Sequence, residues 1–189
     1  MKYIILALAV LTLSMGARAP IKKPVQEVPQ RPVEIQVSTP EKKPFLTIGK
    51  CTNCTVEEWK FIKAAEIKTN ETVASTCYAS FMLQRALIQT GGRSNQQVVE
   101  HIQSAEVKID VEMYYSLKRV LGYTYPKVKK EWINRRYMLS WNKCDLGSLL
   151  GHETDHKIGY EHDFNYNDQR KFSVPYSTNE AIDKCCVRH

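Results

Sequence analysis

Three of the five histidines in this chain lie in one short stretch, Gly151 to Asp163. The fixed positions of its pattern, H-E-x-x-H-x-x-G-x-x-H, are His152, Glu153, His156, Gly159 and His162. Residues four apart in a helix share a face, so His152 and His156 project side by side. Glycine tolerates a positive φ, so Gly159 can end the helix and turn the chain sharply. The stretch therefore predicts a helix and a tight turn that bring three imidazoles to one point.

Three converging imidazoles are a typical ligand set for tetrahedral Zn²⁺. They leave a fourth position open for water, as in catalytic rather than structural zinc sites. Glu153 follows the first ligand and can act as a base beside the metal without binding it. The alternative, a solvated histidine-rich helix end, has no need of Gly159 and His162. We therefore predict that His152, His156 and His162 bind Zn²⁺.

This stretch resembles the zinc signature of the metzincin metalloproteases at all five fixed positions, over about a dozen residues. The resemblance implies an α+β fold: a small metzincin-like zincin domain with a zinc-binding active-site helix, a short mixed sheet and several helices. It also implies a zinc metallopeptidase that hydrolyses peptide bonds in protein or peptide substrates. A Zn-activated water would attack the carbonyl, and Glu153 would be the general base.

Metzincins carry a methionine turn below the zinc ligands, but no methionine follows Met138 here. The candidate for an equivalent turn is the segment 172–177, in which Pro175 would preset a tight bend. Val174 or Tyr176 would then form the apolar floor. The resemblance also implies a catalytic role for Tyr176, whose hydroxyl would approach the zinc or the oxyanion. The packing and catalytic roles of Tyr176 both stay open.

In metzincins the strand before the zinc helix edges the cleft and pairs with extended substrate, a form of β-augmentation. Residues 132–139 precede the predicted zinc helix and are rich in residues typical of strands. We expect them to form this edge strand, although an ordinary sheet strand fits the same pattern.

The N-terminal third of the chain differs in composition from the rest. Residues 1–19 have a positive start, a short apolar core and a small-residue exit, which indicate a signal peptide with cleavage after Gly16 or Ala19. Residues 20–47 are proline-rich and are predicted to be a disordered linker or pro-segment. The metalloprotease-like domain is expected over 48–189. We expect a secreted or periplasmic protein with no stable membrane insertion after signal removal.

All six cysteines lie after residue 50. An even number in an exported chain indicates a disulfide framework, here with 15 possible connectivities. A redox pair or half a zinc knuckle is the alternative for Cys51 and Cys54, and we favour disulfides. Cys185 and Cys186 are expected to tie the C-terminal segment to two different elements, and Cys144 to pin the start of the zinc helix.

The remaining elements are predicted from periodicity and capping residues. Thr55 and Glu58 form a capping box before a helix that ends near Ala65, and Ser94 caps a helix over about 95–104. Residues 72–89 and 113–121 are predicted to be helical, residues 107–111 to be a strand, and 145–158 to be the zinc helix.

The formal net charge of the chain is +7, of which residues 48–189 carry only +3. A mildly basic domain gives no argument for nucleic acid as a partner, and the basic clusters 127–130 and 135–136 are interpreted as solvated faces. Oligomeric state is not predicted.

Two other functions remain open: an exported, non-catalytic zinc-binding module, and a zinc amidase acting on cell-wall peptide. Glu153 favours an enzyme, because a site that only binds zinc has no need of it. His101 and His189 are expected to be surface or helix-end residues.

Overall fold

A computed structural model describes residues 43–163 and 167–187. The predicted signal peptide, the linker up to residue 42, and His189 lie outside the described residues. Strand β1 begins at Leu46, so regular structure includes the last two residues of the segment 20–47. None of the helices described is long and apolar enough to cross a membrane.

The domain is α+β, as predicted, with a mixed four-stranded sheet in the order β1-β2-β4-β3. The strands are β1 (Leu46–Thr52), β2 (Val107–Tyr114), β3 (Gly122–Thr124) and β4 (Lys130–Asn134). β1, β2 and β4 run parallel, and β3 pairs antiparallel with β4. In β2 the alternate residues Ile109, Val111 and Met113 are buried, which is the period-2 pattern of a strand with one face on a core.

Helices make up the rest of the core. They are α1 (Val56–Val73), α2 (Thr76–Gln84), α3 (Asn95–Ser104), α4 (Arg135–Met138), α5 (Lys143–Lys157) and α6 (Val174–Cys185). The predicted capping box of Thr55 and Glu58 is present, and Ser94 caps α3. A third box begins α5, where the Asn142 side chain accepts from backbone N–H groups and Asp145 returns a bond to the Asn142 N–H.

Three predicted elements differ from the structure. The first helix continues to Val73, and Ser75 then caps a separate helix, so the predicted helix 72–89 was wrong in its bounds. Residues 113–121 are not a helix: β2 extends through Tyr114 and an irregular loop follows. The segment 172–177 is not a tight bend, because Pro175 lies in the first turn of α6, where its missing N–H costs no hydrogen bond.

The expected edge strand over 132–139 was also wrong. Only 130–134 is strand, and the chain becomes helix α4 at Arg135. The side chain of Asn134 caps α4 by accepting from the Arg136 N–H, which explains the change. β4 is an inner strand with β2 on one side and β3 on the other. The edge on this side of the sheet is β3.

The helix that carries the first two predicted ligands, α5, is the central element of the domain. Twelve of its fifteen residues are buried, including six polar ones between Ser148 and His156. It packs against both α1 and α6. At Gly151 the approach to α6 is so close that a Cβ would lie 2.3 Å from Ile182 Cδ1 and 3.2 Å from Thr178 Cγ2. Only glycine fits there without displacement of its neighbours.

All six cysteines are paired, as predicted. Cys77 joins Cys185, so α2 is tied to the end of α6. Cys144 joins Cys186, which pins the first turn of α5 to the residue after α6. Cys51 and Cys54 form the third disulfide, within β1 and the turn after it. Disulfides of this kind are typical of proteins in oxidising compartments.

We predict that Gly151→Ala lowers the free energy of unfolding by about 1–3 kcal/mol, although alanine is the better helix former. The reason is that the new methyl group would overlap Ile182 Cδ1. Urea denaturation of the metal-free protein measures the change. The matched control is Ile182→Val, which removes Cδ1: the cost of Gly151→Ala should be smaller in that background. An equal cost in both backgrounds would contradict the packing explanation.

Candidate metal centre

The structure brings His152, His156 and His162 together. Their candidate ligand atoms all lie within 4.8 Å of one another, so the three could hold one metal ion. The imidazole centroids are 5.2 Å apart for His152 and His156, 5.3 Å for His152 and His162, and 4.9 Å for His156 and His162. Three nitrogens at this separation match the donor set expected from the sequence spacing.

The third histidine reaches the site through the turn at Gly159. That residue has φ +94°, in the left-handed region that favours glycine. The N–H of Tyr160 donates to the Asp155 carbonyl at 3.0 Å, and the N–H of Gly159 to the His156 carbonyl at 3.4 Å. These are the two bonds of a Schellman motif, which ends α5 and reverses the chain. The predicted role of Gly159 as the helix-ending turn is therefore confirmed.

Backbone carbonyls orient the imidazoles. His156 Nδ1 lies 2.8 Å from the Tyr160 carbonyl and His162 Nδ1 lies 3.2 Å from the Asp163 carbonyl. Bonds of this kind fix the tautomer and the ring orientation of metal-binding histidines. In His156 and His162 they leave Nε2 as the nitrogen for a ligand.

Burial keeps the three histidines neutral. It lowers the pKa of His152 well below the usual value, and it lowers the pKa of His156 and His162 as well. The positive charges of Arg170 and, for His156, of Lys157 act in the same direction. Because only a neutral imidazole can donate its lone pair to a metal, the site is poised to bind a cation at neutral pH.

The carboxyl group of Glu153 is buried beside this cluster. Burial raises its pKa to about 7, and the positive charge of Lys157 opposes the rise. A cation held by the three histidines would lower the pKa further, toward the ionised form that a general base needs. A carboxyl that titrates near neutral pH is a typical proton-transfer group.

Lys157 also joins α5 to the sheet. Its ammonium group donates to the carbonyls of Tyr125 at 2.7 Å and Lys130 at 3.1 Å, and to that of Val128. Tyr125 and Val128 lie in the loop between β3 and β4, and Lys130 is the first residue of β4, so Lys157 ties the edge hairpin to the last turn of the helix. Lys157 could not be identified from the sequence, because a lysine at a helix end carries no distinctive signal.

Tyr176 lies against the histidines. Its ring centroid is 4.7 Å from that of His152, edge-on, and 5.0 Å from that of His162. The guanidinium carbon of Arg170 lies 4.9 Å from the same ring, on its face. The first turn of α6 thus places an aromatic ring against two of the three histidines. Val174, the other candidate, is fully buried.

Two further buried carboxyls were not predicted. Asp155 is fully buried, and neither of its oxygens has a well-formed hydrogen bond among the described residues. The nearby Thr178 hydroxyl opposes the effect of burial and lowers the pKa of Asp155, but this hydroxyl already bonds Tyr78 at 2.9 Å. Glu131, on β4, accepts from the Thr154 hydroxyl at 3.3 Å, and burial raises its pKa well above the usual value. The burial of these two residues could not be predicted from the sequence, because acidic residues in helices and strands are usually exposed.

His101 is outside the cluster, as expected. Its Nδ1 lies 2.9 Å from the hydroxyl of Tyr160, whose carbonyl orients His156. Burial lowers the pKa of His101. This contact links α3 to the turn that presents the third histidine.

Comparison with known proteins adds nothing to this description. No protein-family model, no curated protein and no solved structure matches the chain. The site therefore has to be interpreted from its own residues.

We predict that Asp155→Asn changes how stability depends on pH. Burial raises the pKa of Asp155 from 3.8 to about 8 in the folded state. Between these values the folded chain retains a proton that the unfolded chain has lost, so stability falls as pH rises, by about 1 kcal/mol per pH unit. Asparagine resembles the protonated acid and has no such proton. The variant should match the wild type near pH 4 and be more stable near pH 8.

Urea denaturation of the metal-free protein between pH 4 and pH 9 measures this difference, and the histidine contributions cancel because both proteins share them. Asp168→Asn is the control, because Asp168 is exposed. It should keep the wild-type slope. Parallel pH profiles for wild type and Asp155→Asn would contradict the prediction.

Proposed function

We propose that this protein is an exported zinc metallopeptidase that hydrolyses peptide bonds in protein or peptide substrates. The observation that carries the proposal is the convergence of His152, His156 and His162, together with the burial of Glu153, which follows the first of them in α5. Nitrogen donors favour Zn²⁺ over the hard cations Mg²⁺ and Ca²⁺, and three protein ligands leave a position open for chemistry. The resemblance of the stretch 152–162 to the metzincin zinc signature supports the same proposal.

When bound, Zn²⁺ would activate a water molecule and polarise the scissile carbonyl. The protein's own part is proton transfer and positioning. Glu153 would accept the proton of the attacking water and later deliver it to the leaving amine. In the metal-free chain burial raises the pKa of Glu153 to about 7, and the cation would lower it, so that the carboxylate needed to accept the proton would be present near neutral pH.

Extended substrate would pair with β3. This strand ends the sheet and lies beside α5, where a Cβ on Gly122 would meet Leu149 Cδ2 at 3.0 Å. Edge strands offer unpaired backbone groups to which a peptide can add as a further strand. Lys157 would hold this edge in place through its bonds to the hairpin carbonyls.

We predict that Glu153→Gln abolishes peptide hydrolysis and leaves zinc binding intact. Glutamine keeps the size of the side chain but cannot accept the proton, so kcat should fall by about 10²–10⁴-fold. Hydrolysis of casein by the zinc-loaded protein measures activity, and metal analysis measures zinc content. Glu57→Gln, at an exposed position in α1, is the matched control and should keep wild-type activity.

The outcomes separate the alternatives. Activity lost in Glu153→Gln and after chelation, with one zinc per chain in both proteins, supports the peptidase. Stoichiometric zinc with no cleavage by the wild type would contradict an endopeptidase. A parallel assay on cell-wall peptide would then distinguish an amidase from a non-catalytic zinc module. Failure of the wild type to bind zinc would overturn the proposal as a whole.

A second prediction concerns the hydroxyl of Tyr176. The aromatic ring packs on two of the histidines, and phenylalanine would preserve that packing. If the hydroxyl stabilises negative charge on the substrate, Tyr176→Phe should lower kcat by about 10–100-fold with unchanged zinc content and thermal stability. Unchanged kcat would leave the tyrosine with a packing role only.

A further inference from the structure

The exposed apolar residues of the domain are concentrated in one part of the chain. Of the eleven large hydrophobic residues that are exposed among those described, seven lie between Tyr115 and Leu139. Leu117 is 72% exposed and Leu139 is 95% exposed. Isolated exposed leucines are ordinary, but a concentration of them marks an interaction surface.

Topology brings five of these seven to one end of the sheet. β2 and β4 are parallel, with Tyr114 opposite Asn134, so the loops that follow them leave from the same end. The side chain of Asn134 bonds both the N–H and the carbonyl of Ser116. Arg136 donates to the Leu117 carbonyl at 2.7 Å, and the Tyr137 hydroxyl to the Lys118 carbonyl at 3.3 Å. The first loop is therefore held against α4.

We call this surface the loop patch. Its exposed apolar members are Tyr115, Leu117, Val120, Leu121 and Leu139. Its cations are Lys118, Arg119, Arg136 and Lys143.

Charge is segregated in the same way. Residues 113–144 contain eight lysines and arginines and one acidic residue, Glu131, which is buried. The remainder of the domain, residues 48–112 and 145–189, has a net charge of −4. In the described part of the chain, no carboxylate pairs with the four cations of the loop patch. Their charges are therefore available to an anionic partner.

We propose that the loop patch docks this protein on the surface of an anionic phospholipid membrane. The leucines and Tyr115 would enter the boundary between headgroups and acyl chains, and the cations beside them would lie among the lipid phosphates. Exposed apolar side chains flanked by lysine and arginine are the combination that binds such surfaces. This is peripheral binding, which needs no spanning helix, and it does not depend on the proposed peptidase activity.

The test is co-sedimentation with two kinds of vesicle, phosphatidylcholine alone and phosphatidylcholine mixed with phosphatidylglycerol. All proteins are purified full chains with the same N-terminus, established by intact mass, so that the N-terminal segment contributes equally. The wild type should bind the anionic vesicles, bind phosphatidylcholine at least about tenfold less, and lose binding as salt is raised.

Two pairs of variants locate the surface. Leu117→Ser with Leu139→Ser should weaken binding to anionic vesicles at least about tenfold, whereas Ile67→Ser with Leu83→Ser, exposed on α1 and α2, should not. Lys118→Glu with Arg119→Glu should weaken binding similarly, whereas Lys60→Glu with Lys108→Glu, which gives the same net charge, should have a much smaller effect. Thermal melting confirms that each variant is folded.

Three results would overturn the proposal. The first is no binding of the wild type to either vesicle. The second is that both charge variants lose vesicle binding equally while Leu117→Ser with Leu139→Ser binds as the wild type does. That result indicates general electrostatic attraction rather than binding through the loop patch. The third is that the wild type binds no vesicles and its molecular mass rises with protein concentration, whereas the mass of Leu117→Ser with Leu139→Ser does not. That result assigns the loop patch to contact between copies of this chain.

Discussion

The close approach of α5 and α6 at Gly151 is the contact on which the metal site depends. Immediately beyond it, His152 meets the ring of Tyr176 edge-on, in the first turn of α6. A larger residue at position 151 would have to displace the end of the Ile182 side chain, because its Cβ would lie 2.3 Å from Ile182 Cδ1. The disulfide between Cys144 and Cys186 holds the other end of the same helix pair. The site is thus assembled by helix packing, with its first two ligands on an element that cannot shift independently.

The same burial creates an electrostatic cost that a cation would offset. Glu131, Glu153 and Asp155 are buried together on or against α5, and burial raises the pKa of each. Without a metal, the folded domain must keep these carboxyls largely protonated or accept uncompensated buried charge. A divalent cation at the histidines would favour the ionised form of the carboxyl nearest to it. Since an unfolded chain has no preformed site, metal binding would also contribute to folding stability.

Sequence predicted the local features well. The ligand spacing, the turn at Gly159 and the capping residues of two helices depend only on neighbours within one or two turns, and each appears in the structure as expected. α6 was not predicted, because its sequence has proline at the second position and serine and threonine in its first turns, which are poor helix formers. Its packing against α5 and its two disulfides stabilise it instead. β4 is an inner strand because the short strand β3 pairs with it. β3 was not predicted, because three residues are too few to show the alternating pattern of a strand.

The metal site and the loop patch use different parts of one element. Leu139 and the cations of the loop patch precede or begin α5, whereas His152 and His156 lie nine and thirteen residues beyond Lys143. At about 1.5 Å per residue, the helix separates its first residue from these ligands by about 14–20 Å. Lys143 is therefore too far from the histidines for strong interaction at physiological ionic strength, where the Debye length is about 8 Å. A charge change at Lys143 should leave the histidines nearly unaffected, because α5 is a buried helix that separates the two positions.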